Sequence, residues 1–335
     1  MKSSAIAHSN IALIKYWGRS PHRDPNLNIP LNDTVSMTKQ GLTDGIHLQT
    51  HTTIEFSPDY DKDTVIMENQ LVEGRNFERI VRVIDHLRAI AKTDYRFKLV
   101  SQNDFPTQAG LASSASAFAA LTIAAADALK LKLSKKELTK IARLGSGSAA
   151  RSIYGGFVYS YGGNSHETSF AEQICARDCF DLNAVIAVVD EAKKDVTSDQ
   201  GHSLAHTSPF NEIRIKKSQQ QAKEIRKLIL ENDFNQVGQI AEANCLYMHT
   251  VMMTSHPSLF YWKPITLNIM KTIQKSRNQG LPCYFTIDAG PNVHCLCQSR
   301  NLYELQKLVE KIEGVKKTIL VEPADDAFVT KEHLF

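Results

Sequence analysis

The chain has 335 residues, 42% of them hydrophobic and 22% charged, with 39 Lys and Arg against 36 Asp and Glu. Sixteen Gly and eleven Pro exclude a collagen-like or low-complexity chain, and the hydrophobic share excludes a disordered one. A surplus of only three positive charges argues against a chain dominated by nucleic-acid binding, while a local basic groove or a small anionic ligand needs no more.

The length predicts two lobes or one large α/β unit. At the N-terminus the apolar run after Lys2 is broken by His8, Ser9, Asn10 and Lys15, so no signal peptide is expected. Strands are expected over residues 9–16, 34–38 and 45–51. An amphipathic helix follows over 76–92, with Phe77, Ile80, Val81, Ile84, Leu87 and Ile90 on one face, and then a strand over 95–101. The uncharged stretch 105–126 is long enough to span a bilayer. Its Pro106, Gln108, Gly110 and serines, and its reliance on Ala, point instead to burial within protein. No membrane partner is expected.

Ser134 and Glu137 form a capping box for a helix over 135–144, and a strand follows over 157–161. A buried strand over 184–189, a polar loop over 190–200 and helices over 211–230 and 234–249 come next. A third helix starts near Pro264. Strands over 283–287 and 293–297 flank the turn from Asp288 to Asn292, and a helix over 302–312 and a strand over 318–321 finish the pattern. Strands and helices mix without regular βα alternation, which predicts an α+β fold. The domain boundary is expected at 170–183, giving residues 1–180 and 181–335. The six cysteines form no C-x-x-C pair and are expected to be small buried hydrophobes in a reducing, cytoplasmic setting.

Four segments carry polar groups in chemically suggestive patterns. Residues 106–116 feed a strand into a small-residue turn and a helix start, where free N–H groups could hold phosphate or the helix could simply pack tightly. It is not a Walker A loop. In the segment from Gly145 to Arg151, Ser146, Ser148 and a guanidinium could converge on one anion, or form an ordinary capped helix; Ala149 rules out a nucleophile elbow. Asp288 ends an apolar strand and is either a turn residue or a carboxylate poised to accept a hydroxyl proton. Lys15-Tyr16-Trp17-Gly18-Arg19 gathers cations and aromatics at a strand end, a pattern that packing also explains. The twelve histidines show no metal-binding spacing, and nothing distinctive supports Ser/His/Asp catalysis.

Taken together and in this order, these four segments, with the following Ser-Ile-Tyr-Gly-Gly156, Thr207-Ser-Pro-Phe210 and Met248-His249, resemble the mevalonate diphosphate decarboxylase family of the GHMP kinase superfamily. The likeness spans residues 5 to about 295. It implies a two-lobed fold with the site in the cleft, an N-terminal ATP-binding half, and ATP and Mg2+ as cofactors. The implied reaction phosphorylates the tertiary 3-hydroxyl of mevalonate 5-diphosphate and then expels that phosphate with CO2, giving isopentenyl diphosphate and ADP. By the same resemblance Asp288 and Lys15 are catalytic, and Tyr16, Trp17, Gly18, Arg19, Arg75, Ser146, Gly147, Ser148 and Arg151 bind substrate. Gly110, Leu111, Ala112, Ser113, Ser114 and Lys193 would hold ATP, with Ser114 also on Mg2+. A homodimer is the family's habit.

The likeness has two departures. Arg19 stands where the family usually has Lys. Asp199, within residues 197–202, stands where bacterial relatives often have an Arg supporting the diphosphate; it is expected to face solvent, because an anion beside two phosphates would be self-defeating. It leaves mevalonate 5-phosphate as the alternative substrate. A mevalonate 3-kinase or a non-catalytic GHMP-fold binder fits less well, since Asp288, Lys15 and the phosphate loop are all present.

Overall fold

A computed structural model describes residues 1–19, 24–43, 45–105, 113–190 and 196–335. The strands are β1 (Lys2–His8), β2 (Asn10–Ile14), β3 (Thr34–Gly41), β4 (Gln49–Ser57), β5 (Thr64–Met67), β6 (Gln70–Leu71), β7 (Arg96–Asn103), β8 (Phe157–Ser160), β9 (Ala171–Cys175), β10 (Asn183–Val188), β11 (Tyr284–Thr286), β12 (Val293–Cys297), β13 (Lys317–Pro323) and β14 (Phe328–Thr330). The helices are α1 (Gly74–Ala91), α2 (Ser113–Ala128), α3 (Lys135–Gly145), α4 (Ser198–Leu204), α5 (Asn211–Leu230), α6 (Phe234–Met253), α7 (Pro264–Asn278) and α8 (Leu302–Glu310).

Two mixed layers result. The first sheet runs β14-β1-β4-β7-β5-β6. Its apolar face, with Ile54, Phe56, Phe97 and Leu99, packs on Ile80, Ile84 and Leu87 of α1 and on α2. Helix α2 is buried nearly all round, and its alanines let neighbouring backbones approach. The second sheet runs β11-β12-β10-β13-β3-β8-β9, with β2 paired to β3. In β10, Ala184, Ile186 and Val188 enter the core beneath α5 and α6, while Val185 and Ala187 face the core of α7 and α8. That two-sided burial explains why this segment reads as an unbroken apolar run. The β3–β13 ladder joins early and late chain in one sheet. No helix of the described residues is long and apolar enough to cross a membrane.

Several expectations need correction. The strand expected over 45–51 starts at Gln49 and runs to Ser57, because Leu48 turns in the left-handed region at φ 57°. The loop expected over 190–200 contains the start of α4, capped by a reciprocal Thr197–Gln200 box. The segment after Ser148 is a short 3-10 turn, Ala149–Ser152. The six cysteines are not all free: the end of β9 and the next turn bring the Cα atoms of Cys175 and Cys179 to 6.0 Å, and the pair is a disulfide. The other four are free and buried.

Candidate active site

The site lies where β2, the turn after β11 and the end of α3 meet. In β2 the register slips between Ala12 and Ile14, so strict alternation breaks. Ile11, Leu13 and Ile14 enter the core, while Asn10 and Ala12 line a cavity of about 410 Å³ and Lys15 reaches the same side. Buried Lys15 donates from Nζ to Asp288 Oδ1 at 2.7 Å. Its backbone is fastened too: its N–H donates to Asn244 Oδ1 at 2.8 Å, and its carbonyl accepts from Arg214 at 2.7 Å.

Asp288 keeps about a third of its side chain open to the cavity (32%). Burial would raise its pKa, but Lys15, Lys39 and Arg151 outweigh that and hold it below the usual carboxylate value. Its turn is pinned by Asn292, whose Oδ1 accepts from the N–H groups of Val189 and Asp190. His249, neutral because burial lowers it to about 3, bonds the backbone at Ile287 and Asp288. The carboxylate is therefore ionised, fixed and accessible at one edge.

Facing it is an anion cradle. Arg151 is buried, and among the described residues its guanidinium bonds only neutral groups, Asn10 Oδ1 and Thr34 Oγ1, each at 3.3 Å. Burial lowers its pKa to about 10, so it stays charged at neutral pH, with no carboxylate in salt-bridge contact among the described residues. Ser146 Oγ lies 3.1 Å from Ser148 Oγ and 3.3 Å from Ser114 Oγ, at the start of α2. Such a cation among hydroxyls can accept a phosphate or carboxylate directly. Gly147 is required by the close approach of Tyr16, since a Cβ there would lie 2.5 Å from the ring.

At the mouth, Gly18 adopts φ +86° and donates its N–H to His202 Nδ1 at 3.0 Å. The His202 ring contacts those of Tyr16 and Trp17, and burial keeps it neutral. Asp199 does not face solvent as expected. It lines the cavity, with one oxygen 2.5 Å from Arg19 and the other 2.5 Å from Arg75. Burial would raise its pKa, but Arg19, Arg75 and Arg79 together lower it. An anion beside a phosphate site is tolerated here because these guanidinium partners neutralise it.

The structure thus gathers Lys15, Tyr16, Trp17, Arg19, Ser113, Ser114, Ser146, Gly147, Ser148, Arg151 and Asp288 at or against one cavity, with Gly18 holding the turn. Arg75 reaches it through Asp199. Gly110, Leu111, Ala112 and Lys193 lie outside the described residues. Sequence reading missed Asn10 as a cavity residue, the clamp of His202, and Arg79. The last had a signal: Arg75 and Arg79 are four apart on α1 and so share a face. Arg79 donates to the Gly145 carbonyl at 2.7 and 3.0 Å and separates the main cavity from a second one of about 180 Å³ beside α2.

Residues 7–171 match the model of the diphosphomevalonate decarboxylase-like N-terminal domain, and residues 184–331 that of the mevalonate 5-diphosphate decarboxylase C-terminal domain. The phosphomevalonate decarboxylase of Haloferax volcanii is 35% identical over 295 residues, covering 88% of this chain and 87% of that protein. The mevalonate diphosphate decarboxylase structure from Staphylococcus aureus matches with a TM-score of 0.90 at 35% identity over 98% of both chains. MDDEF, solved with MVAPP, AMPPCP and magnesium, matches with a TM-score of 0.89 at 35% identity over 99% of both. The chain belongs to the diphosphomevalonate decarboxylase family.

Proposed function

We propose that the protein is an ATP-dependent decarboxylase that converts mevalonate 5-diphosphate to isopentenyl diphosphate, releasing ADP, phosphate and CO2. The observation that carries this reading is the ionised Asp288, held by Lys15 and opening onto a cavity with a cation-rich wall. A tertiary alcohol is a poor nucleophile and hydroxide a poor leaving group; phosphoryl transfer solves the second problem. The open edge of Asp288 would orient the 3-hydroxyl. A carboxylate held below its usual pKa is a weak base towards a free alcohol, so the proton would move late, once the O–P bond is forming. The same negative charge would then favour positive character at C3 as phosphate and CO2 depart.

Arg151, Ser146, Ser148 and Asn10 would bind the substrate's anionic groups, and Arg19, Arg75 and Arg79 the end bearing the phosphates. The nucleotide's phosphates would sit at Ser113 and Ser114, with its base in the second cavity. Among the described residues no cluster of three His, Cys, Asp or Glu could hold a metal. Mg2+ needs none, because it binds through phosphates, waters and one or two protein oxygens, and the Ser114 hydroxyl at the α2 start is suited to that. When bound, it would neutralise charge on the phosphates. The reading implies the cytoplasm, where ATP is available, and the family resemblance implies a homodimer. The division near residue 180 is proposed as one of sequence segments, each giving strands to a common sheet.

Assaying CO2 and ADP together, with mevalonate 5-phosphate and 5-diphosphate side by side, tests the reading. Equal amounts of both products with the diphosphate are expected; ADP without CO2 would make the protein a kinase. Replacing Arg151 with Gln removes a charge-assisted fork, and the affinity for the mevalonate derivative should weaken by about 1.5–3 kcal/mol. ATP affinity should hardly change, and an equal loss for both ligands would refute the assignment of Arg151.

Two observations bear on a second reading, decarboxylation of mevalonate 5-phosphate. Asp199 already occupies the two guanidinium groups that a terminal phosphate would meet, and the Haloferax volcanii relative is a phosphomevalonate decarboxylase. Asp199→Asn frees Arg19 and Arg75. It should tighten diphosphate binding by roughly 1–2 kcal/mol and monophosphate binding less, as calorimetric titration of both ligands would measure. Unchanged affinities would mean that Asp199 does not compete with the substrate.

A further inference from the structure

A second buried pair adjoins Lys15 and Asp288. Lys39 of β3 is fully buried, and its Nζ lies 2.9 Å from Nε2 of His294 on β12, itself 1% exposed. Registers through Pro323, Ile319 and Ile186 put both residues on one face of the second sheet. His294 pairs with Thr286, two residues before Asp288. Among the described residues Lys39 forms no ion pair, and His294 Nδ1 is buried without a partner.

This geometry has two forms that differ by one proton. If Lys39 is an ammonium, Nε2 accepts from it and the imidazole proton sits on Nδ1, where no acceptor waits. If Lys39 is a neutral amine, Nε2–H donates to it and Nδ1 keeps only an unshared lone pair. Each form has one defect at Nδ1 and leaves two Nζ–H donors without a partner among the described residues, so neither is strongly preferred by hydrogen bonding. Charge then decides. Asp288 favours the ammonium, whereas Lys15 and burial oppose it. Burial dominates and brings the Lys39 pKa down to about 7. Other titratable groups reach it indirectly, through Asp288: Arg151, and His249 and Cys245 of α6. On β13, Glu322 is turned to Gln40 and Arg177, and β10 carries no titratable side chain.

We propose that the Lys39–His294 pair takes up one proton from solvent when anionic ligands enter the cavity, so that ammonium at Lys39 belongs to the loaded enzyme. The proposal rests on the reading that those ligands are phosphorylated mevalonate and ATP. Their charge adds to that of Asp288 and stabilises the proton on Nζ. The direction follows from linkage. Well below pH 7 Lys39 is already charged in the free protein, and binding takes up almost nothing there. Well above pH 7 it is neutral when free and charged when loaded. Affinity therefore falls as pH rises, by up to ~10-fold per pH unit, until the loaded form also loses the proton. Lys39 is thus a positioning residue, acting on Asp288 through its charge.

The test is calorimetric titration at pH 8 in two buffers of different ionisation heat. Mevalonate 5-phosphate, mevalonate 5-diphosphate and a nonhydrolysable ATP analogue are the titrants. Wild type is compared with Lys39→Met and with the double variant Lys39→Met/His294→Val, which leaves no orphaned imidazole. Wild type should take up close to one proton more than either variant, and its affinity should decline more steeply from pH 7 to 9. Equal uptake in wild type and variants, or none in wild type, overturns the proposal. If neither mevalonate derivative binds, the substrate reading fails, and the ATP analogue still decides the proton uptake. Should the variants not fold, the wild-type measurement alone can refute it.

Discussion

Asp288→Asn is expected to lower turnover by at least ~10²-fold, the low end for loss of a general base, while the affinity for ATP changes little. The amide keeps the size of the carboxylate but neither takes a proton nor supplies negative charge near C3. It also removes the counter-ion of Lys15, whose ammonium sits 2.7 Å away and is buried. Some loss of thermal stability should therefore accompany the kinetic loss, and unfolding curves separate the two. The turn itself should persist, because Asn292 and His249 hold it independently of the carboxylate. A well-folded variant with near-normal CO2 release would exclude Asp288 from the reaction.

Lys15→Met should cost a similar ~10²–10³-fold at neutral pH, the range for removing one preorganised charge from a site. Its signature lies in the pH profile. Burial raises the pKa of Asp288, and Lys15 is the largest effect holding it down. Without the ammonium, the carboxyl becomes ionised only at higher pH, so the acid limb of the rate profile moves upward. Part of the loss is recovered as pH rises, since the surviving carboxyl then ionises. The pH dependence of kcat for wild type and variant, measured over pH 4–9, checks this. An acid limb that stays in place while activity falls uniformly would mean that Lys15 acts only on the phosphates or on folding.

Much of the site was legible because its residues sit in short contiguous pieces. Lys15, Ser146, Ser148, Arg151 and Asp288 each lie in a short motif that packing, capping or a turn explains alone, and it is the motifs' joint occurrence in order that points to a site. What stayed hidden depended on partners distant in sequence. Asp199 was misplaced because the arginines that neutralise it lie 180 and 124 residues away. Lys39 and His294 looked like ordinary polar positions in strands, and only the sheet brings them together across 255 residues. For the fold, β10 and the capped helix α3 were clear from apolar patterning and local hydrogen bonding. Strands β1, β9 and β14 were not, since their patterns are short or mixed and their pairing is remote. Strand β14, for instance, pairs with β1, which lies more than 300 residues away.

That last pairing has a consequence for how the chain can be divided. After contributing β13 to the second sheet, the chain returns to close the edge of the first, and Lys2 donates to the carbonyl of Phe335 at 3.1 Å. The two ends are thus stitched together, and a mid-chain cut yields halves that are interlocked rather than modular. Gene fission near residue 180 would strand β10–β13 without β3, and β1 without β14, leaving unpaired ladder edges that invite aggregation. Circular permutation is the rearrangement this topology tolerates best, because linking residues 1 and 335, which lie close together, and opening an exposed loop preserves the strand pairings among the described residues.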